Sequence, residues 1–328
     1  MKGRRFLSNF TAIILIYIAL PVDSHAVQPG GQAGGFLRLG LGADRLAMGD
    51  CGAALVGGSM NWYYNPAGIP GQRMRQASIG YRLMSLDRSI MYAGFSTPLK
   101  PKAGLAFGVM RAGTDNIDMR DSNGNRFDML SQSENLFHGS FGLQPHPIVA
   151  LGISIKWLIS AVPDILEDEK NLYAYGMSMD LGLRLVASPK LKFGLQIRDL
   201  GGKYSWETSE LWGDERGSTD DDLPTLIRAG AAWNPIRDLT LVMDLVVDPD
   251  RAGDDADAVE PRFGAELMRR ISDKNRLALR AGYNGKVITS GFGIDFDLGF
   301  TRAEMNYAFY VEDIAPDAAH LIGWVFRF

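Results

Sequence analysis

The fold is decided by the closing stretch of the sequence, Ala318-Ala319-His320-Leu321-Ile322-Gly323-Trp324-Val325-Phe326-Arg327-Phe328. Bulky apolar side chains occupy every second position from Ile322 to Phe328, and most of them are aromatic. Because successive side chains point to opposite faces of a β-strand, these side chains share one face. The stretch therefore predicts a strand with a continuous apolar and aromatic surface on one side.

Segments with the same alternation fill the chain from residue 76 onward, and turn signals separate them. In one of them Leu191, Phe193 and Leu195 share a face, while Lys192 and Gly194 lie on the other. Such alternation, bounded by turn residues, is typical of half-buried strands. Fourteen segments qualify, and they are 76–84, 88–97, 102–111, 135–144, 148–160, 172–186, 190–199, 223–234, 237–248, 261–271, 275–284, 287–297, 299–311 and 318–328.

The connections between these segments alternate between short and long. Bacterial outer-membrane barrels sort their connections in this way, with short periplasmic turns and longer extracellular loops, whereas a soluble sandwich has no reason to. We therefore predict an all-β fold, a transmembrane antiparallel β-barrel of 14 strands over residues 76–328. We expect it in the outer membrane of a Gram-negative-type bacterium, with both termini periplasmic. The long connections are 112–134, 161–171, 200–222 and 249–260.

The composition excludes several classes of protein. The 328 residues carry a formal net charge of −4, which does not indicate a nucleic-acid partner. The single cysteine, Cys51, cannot form an internal disulfide and is interpreted as a small packed residue. The histidines are scattered, and no phosphate-binding loop, zinc spacing or nucleophile elbow occurs. We therefore expect no metal, no cofactor and no catalytic centre.

The first residues have the features of a cleaved signal peptide. Lys2, Arg4 and Arg5 form a basic start, residues 10–20 are mostly apolar, and Ser24-His25-Ala26 is a small-x-small cleavage site. The apolar run is too short to span a bilayer as a helix. We therefore expect residues 1–26 to direct export.

Charged side chains fall on the inward face in the predicted phasing of the strands. Inside a closed barrel such charges can pair across strands or contact a wet interior. We interpret them as an ion-pair network that braces the barrel rather than as a conduction path. The predicted network comprises Lys192, Arg198, Arg228, Asp244, Arg262, Glu266, Arg270, Arg276, Arg280, Asp295, Arg302 and Glu304.

The last strand resembles the C-terminal signal of barrels that the outer-membrane assembly machinery inserts. The resemblance rests on Trp324, Phe326 and Phe328. It implies that this machinery, outer-membrane lipid and lipopolysaccharide are partners of the chain.

Residues 27–75 precede the first strand and are rich in small residues. Since a barrel of fourteen strands encloses more space than its wall side chains fill, we expect a small N-terminal hatch or plug here. This segment contains the string Phe36-Leu37-Arg38-Leu39-Gly40-Leu41-Gly42-Ala43-Asp44-Arg45-Leu46-Ala47-Met48-Gly49-Asp50, followed by Trp62-Tyr63-Tyr64-Asn65-Pro66-Ala67-Gly68-Ile69. The two strings together resemble the PorV/PorQ branch of the FadL-like outer-membrane family. The resemblance covers mainly residues 34–70 and implies a hatch motif at Asn65, Pro66, Ala67 and Gly68.

The resemblance implies two different functions. FadL-like members are similar to transporters of long-chain fatty acids, which implies passage of hydrophobic small molecules, although the charged interior does not predict a purely apolar tunnel. PorV-like members resemble shuttles of type IX secretion that hold cargo proteins at the cell surface, with the long loops as contact surface. The acidic run 248–257 is interpreted as a solvated loop, with cation binding as the alternative.

An enzyme is the third hypothesis. His138-Gly139-Ser140 places an imidazole and a hydroxyl on one strand face. This is similar to the His-x-Ser arrangement of outer-membrane phospholipase, with Ser140 as nucleophile and His138 as general base. The predicted phasing points both side chains inward, and Phe141-Gly142 replaces the polar residues expected after the serine. A polar pair facing the interior is therefore the preferred interpretation.

Overall fold

The computed structural model describes residues 33–56, 58–166, 170–207, 218–249, 251, 258–312 and 317–328. The expected signal peptide and most of the acidic run 248–257 lie outside these residues. Strands make up most of the described chain. They are β1 (Gln76–Leu83), β2 (Arg88–Leu99), β3 (Ala103–Arg120), β4 (Arg126–His146), β5 (Val149–Leu166), β6 (Lys170–Val186), β7 (Leu191–Glu207), β8 (Ser218–Asp222), β9 (Leu226–Ile236), β10 (Leu239–Val247), β11 (Val259–Arg270), β12 (Arg276–Tyr283), β13 (Ile288–Asp297), β14 (Arg302–Val311) and β15 (Ala318–Arg327).

Fourteen of these strands close into one antiparallel barrel. Neighbours in sequence pair with each other, except that β7 pairs with β9 and β15 returns to β1. At this last seam Gln76 lies opposite Arg327 and Ile79 opposite Trp324. Within the described chain, β8 pairs with β7 alone and is an extra strand beside the ring. The prediction of a fourteen-stranded antiparallel barrel is confirmed.

Several connections predicted as long loops are largely strand. β3 and β4 continue as a paired hairpin through most of 112–134, and β7 with β8 covers much of 200–222. Ile117 lies opposite Leu130 across the first of these extensions. The loop prediction was wrong here because polar side chains occupy both faces, so the apolar alternation stops while the backbone hydrogen bonds continue. We call the end with the connections after β1, β3, β5 and β7 the long-loop end, and the other the short-turn end.

The outward face of the barrel is apolar. Large side chains such as Phe107, Phe137, Trp157 and Leu279 are exposed on it. An exposed apolar surface of this extent is typical of a lipid-facing wall and rare on a soluble monomer.

An inner segment, residues 33–75 without residue 57, runs through the barrel from the long-loop end to the short-turn end. It contains the 3-10 turns Gly35–Arg38 and Pro66–Gly71 and the short helices Ala43–Leu46 and Asn61–Tyr64. Its aromatic run, Trp62-Tyr63-Tyr64, is at most 1% exposed. None of the helices in the described residues has the length and apolar character needed to cross a membrane.

Glycines on the inward face of the wall allow the inner segment to approach closely. A Cβ atom on Gly194 would lie 1.9 Å from the carbonyl oxygen of Ala53, and one on Gly108 would lie 2.5 Å from the ring of Trp62. Real Cβ atoms do not tolerate such distances. The glycines that alternate with apolar residues along the strands are therefore explained by packing against the inner segment.

Candidate functional site

Asp50 joins the inner segment to two strands of the wall. Its Oδ2 lies 3.2 Å from Nη2 of Arg228 on β9, and it also forms an ion pair with Arg262 on β11. The hydroxyl of Tyr64 donates a further hydrogen bond to the same carboxylate. Because all four side chains are buried, each charge depends on these partners. Alternation along the strands predicted Arg228 and Arg262 as network members, whereas Asp50 was missed because it lies in a short turn that has no periodicity.

Asp244 on β10 binds the backbone of the inner segment. Its Oδ2 accepts hydrogen bonds from the N–H groups of Gly52 at 2.8 Å and Ala53 at 3.1 Å, and it lies 3.6 Å from Nη1 of Arg228. The carboxylate thus satisfies two donors that no secondary structure would satisfy. Asp244, predicted as a member of the wall network, links that network to the inner segment.

The inner segment is also held from other sides of the ring. Arg82 on β1 donates to the carbonyl of Leu39 at 2.6 Å. The N–H of Gly49 donates to the hydroxyl of Thr289 on β13 at 3.1 Å. The attachments therefore come from strands that are far apart around the barrel.

Asn65 begins the turn Pro66–Gly71 as its N-cap. Its Oδ1 accepts from the N–H of Ala67 at 3.0 Å, and Pro66 takes the first position of the turn, where a missing N–H costs nothing. The amide Nδ2 donates to the carbonyl of Ala53 at 2.7 Å and to that of Leu183 on the wall at 3.2 Å. The residues of the expected hatch motif thus fix a turn of the inner segment against β6.

The predicted charged residues near the seam of the barrel form a connected group. Arg280 lies 2.7 Å from Glu266 and 3.1 Å from Glu304, and Arg302 lies 3.0 Å from Asp295. Arg327, which was not among the predicted network members, also pairs with Glu304.

The other predicted members lie apart from this group. Arg198 donates to the carbonyl of Leu37 at 2.9 Å and lies over the ring of Tyr63, so it binds the inner segment. Within the described chain Lys192, Arg270 and Arg276 make no ion pair, and the last two are exposed at the short-turn end. Alternation predicted that these three side chains point inward. It does not predict whether an acidic side chain lies close enough to pair with them.

A second buried group was missed by sequence reasoning. Nζ of Lys156 lies 2.7 Å from Asp180 and 2.8 Å from Asp199, and all three side chains are buried. They come from β5, β6 and β7, so only the register of the sheet brings them together. Asp199 also has a left-handed backbone conformation, with φ 56°, at an irregularity of β7 that alternation cannot predict.

His138 and Ser140 face the interior, as the phasing predicted. Nε2 of His138 lies 3.4 Å from Oγ of Ser140, which lies 2.9 Å from Oγ of Ser154. The imidazole packs edge-on against Trp62, with 5.3 Å between ring centroids, and both side chains are buried. A lipid ester on the outer wall has no access to this serine, which argues against the phospholipase hypothesis.

A cavity of about 390 Å³ lies at the long-loop end, between the start of the inner segment and the extended parts of β3, β4 and β7. This volume lies within the range of small-molecule sites in proteins, which combine apolar walls with a few polar groups. The apolar and aromatic lining includes Phe36, Leu39, Met84, Ala112, Tyr204 and Trp206. The polar lining includes Arg88, Gln132, Glu134 and Asp221.

The extra strand β8 completes one side of this cavity. The carboxylate of Asp221 accepts a hydrogen bond from Nε1 of Trp206 at 2.7 Å. Next to it, Nζ of Lys203 and the hydroxyl of Ser205 donate to Asp220 at 2.5 and 2.6 Å. These bonds hold the pKa of Asp220 below its ordinary value. Sequence reasoning placed this part of the chain in a loop and therefore missed the cavity.

Three solved structures illustrate what the fold is similar to. The toluene transporter TbuX of Ralstonia pickettii matches with a TM-score of 0.61 and 13% identity over 88% of this chain and 98% of that one. The toluene transporter TodX of Pseudomonas putida matches with a TM-score of 0.60 and 12% identity, over 88% of this chain and 97% of that one. A FadL homologue of Pseudomonas aeruginosa matches with a TM-score of 0.54 and 8% identity, over 87% of this chain and 96% of that one.

The fold is similar to that of FadL-like barrels. At these identities the likeness concerns the fold alone. No protein-family model matches the chain, and no curated protein sequence matches it. The narrower resemblance to the PorV/PorQ branch therefore still rests on residues 34–70.

Proposed function

We propose that this protein is an outer-membrane barrel that admits small hydrophobic molecules at its long-loop end. The observation that carries the proposal is the cavity between the inner segment and the wall, lined by Phe36, Leu39 and Trp206 among others. The apolar outward face supports a position in a membrane. The named substrates of two structurally similar transporters, TbuX and TodX, support a hydrophobic ligand.

In this proposal the inner segment acts as a hatch. It fills the barrel so tightly that Gly194 and Gly108 leave no room for even a methyl group. A solute that enters the cavity can therefore continue only if the inner segment or the wall moves. The expected hatch motif from Asn65 to Gly68 lies at the far side of the segment from the cavity.

Ligand binding tests the proposal most directly. We would titrate the purified full chain in detergent with p-xylene by isothermal titration calorimetry, using the detergent alone as blank. Ala112→Trp should abolish binding because Ala112 is a small, buried lining residue. Ala281→Trp, on the exposed outward face of β12, is the matched control and should bind normally. Equal binding by both variants, or none by the native chain, would contradict the proposal.

The proposed orientation places the short-turn end in the periplasm and the turn 121–125 outside the cell. Migration in SDS that changes on boiling would support a barrel in the membrane fraction. A tag inserted in the turn 121–125 should react on intact cells, whereas a tag at 272–274 should react only after lysis. The reverse pattern would contradict the orientation. The proposal includes outer-membrane lipid, lipopolysaccharide and the barrel-assembly machinery as partners of the chain.

A surface protein-secretion or attachment role is the second candidate. It is favoured by the paired extension of β3 and β4, which continues as a hairpin beyond the last apolar rows of the wall. Deleting residues 117–129 should release a bound cargo protein while leaving p-xylene binding intact. If surface proteins are retained at normal levels without the gene, this role is excluded.

A further inference from the structure

Glu134 is a carboxylate of the cavity lining that has no ion-pair partner among the described residues. It points inward from β4 and is half-buried. In the described part of the chain no lysine, arginine or histidine forms an ion pair with it. Among the described lining residues the one basic side chain, Arg88, is already paired with Glu312 at 3.0 Å. Removing a carboxylate from water without a counter-ion costs free energy. Its presence in the wall of a cavity therefore points to a role in ligand binding.

Three neutral donors satisfy part of this carboxylate. Its Oε1 accepts from the hydroxyl of Ser160 at 2.8 Å and from Nε2 of Gln132 at 3.2 Å. Its Oε2 accepts from the hydroxyl of Tyr204 at 2.7 Å. A carboxylate has about four acceptor positions, so the described residues leave one position open on Oε2. Since both Glu134 and Tyr204 line the cavity, this position is available to a molecule bound there.

We infer that Glu134 makes the cavity selective for aromatic molecules that carry an O–H or N–H donor, phenols above all. This inference rests on the proposed function, because it specifies the ligand of the same cavity. The ring of the ligand packs against Phe36, Leu39 and Met84, and its donor bonds to Oε2 of Glu134. The same carboxylate excludes ligands that are themselves carboxylates, including fatty acids.

The exclusion follows from charge. Two carboxylates that share a partly buried site repel each other strongly, because little water screens them. Asp221, on the same lining, adds a second negative charge, and its hydrogen bond comes from the neutral indole of Trp206. A site built to bond a donor also discriminates against the analogue that lacks one, since the carboxylate then stays unsatisfied.

Three probes with one methyl-substituted ring separate these effects: p-cresol, p-xylene and 4-methylbenzoate. We would titrate each into the purified full chain in detergent by isothermal titration calorimetry, with detergent alone as blank. We expect p-cresol to bind at least about tenfold more tightly than p-xylene, the margin that a hydrogen bond to a charged group provides. We expect no detectable binding of 4-methylbenzoate at pH 7.

Glu134→Gln removes the charge and keeps the shape. In this variant 4-methylbenzoate should bind, and the preference for p-cresol over p-xylene should fall to about threefold or less. Asp238→Asn, an exposed carboxylate at the short-turn end that pairs with Arg269, is the matched charge control. It should keep the native order of the three probes. Change of SDS migration on boiling verifies that both variants are folded.

The outcomes separate the two claims. If p-xylene binds but p-cresol binds no better, or if Glu134→Gln leaves the selectivity unchanged, the inference is overturned while the proposed function stands. If none of the probes binds to the native chain, the proposed function fails and the inference fails with it.

Discussion

The carboxylate of Asp50 in the inner segment lies 3.2 Å from the guanidinium of Arg228 on the wall, and both groups are buried. Asp50 has a left-handed backbone conformation, with φ 59°. Arg228 in turn lies between Asp50 and Asp244. A single arginine thus links the inner segment to two neighbouring strands.

Asp50→Asn should lower the free energy of unfolding by about 3 kcal/mol, because it leaves Arg228 and Arg262 short of one buried negative charge. The measurement is a urea titration of the full chain in detergent, followed by tryptophan fluorescence. Asp238→Asn, which breaks an exposed pair with Arg269, is the control and should change stability by less than about 1 kcal/mol. Equal losses of unfolding free energy in the two variants would show that the buried pair stabilises the protein no more than the exposed pair does.

Gly194→Ala should destabilise the protein by about 1–3 kcal/mol, since the new methyl group would overlap the carbonyl oxygen of Ala53. The backbone of the inner segment must then move, because no flexible side chain is available to give way. Gly139→Ala is the control, as its Cβ would meet only the ring of Trp157 at 3.9 Å. Thermal melts of the two variants, followed by SDS migration, compare them directly. A native melting temperature for Gly194→Ala would mean that the inner segment is loosely held.

Asn65→Ala should loosen the inner segment, because it removes the N-cap of Pro66–Gly71 and the bonds to Ala53 and Leu183. Loss of such a cap costs about 1 kcal/mol. We expect more frequent ion-conducting openings in planar lipid bilayers than for the native chain. Asn234→Ala, near the short-turn end of β9, removes a hydrogen bond to Thr240 and serves as the control. Identical conductance records for native chain and Asn65→Ala would contradict a gating role of this turn.

Phe328→Ala should reduce the amount of barrel inserted in the outer membrane severalfold if the terminal aromatic residues are an assembly signal. Phe328 stacks near Phe95 on the outward face, at 6.4 Å between ring centroids. The amount of heat-modifiable protein in the membrane fraction measures insertion. Phe300→Ala, a more exposed phenylalanine on the turn after β13, controls for loss of apolar surface. Normal insertion of Phe328→Ala would remove the assembly interpretation.

The barrel could be predicted from sequence because its walls obey one simple rule. Apolar side chains face outward at every second position, as with Ile322 and Trp324 opposite Tyr81 and Ile79. The strand extensions beyond Thr114 and before Gln132 could not be predicted, since their side chains no longer distinguish lipid from interior. Backbone pairing persists there without any pattern in the sequence.

The sites inside the barrel were harder to predict, and for a different reason. Alternation assigns Arg198 and Arg228 to the inward face but does not say what lies opposite them. The ion pairs of Lys156 depend on the register of three strands, and Asp50 lies in a turn without periodicity. Charged groups could thus be placed on a face, whereas their partners required the three-dimensional structure.

The attachments of the inner segment also bear on the shape of the barrel as a whole. Arg82, Arg198, Asp244 and Thr289 bind the segment from widely separated points of the circumference. An empty ring of this size could flatten under the lateral pressure of a bilayer, but here flattening would break buried hydrogen bonds on several sides at once. The inner segment therefore fixes the cross-section of the barrel. A mutation that weakens the attachment of this segment should make the wall easier to deform.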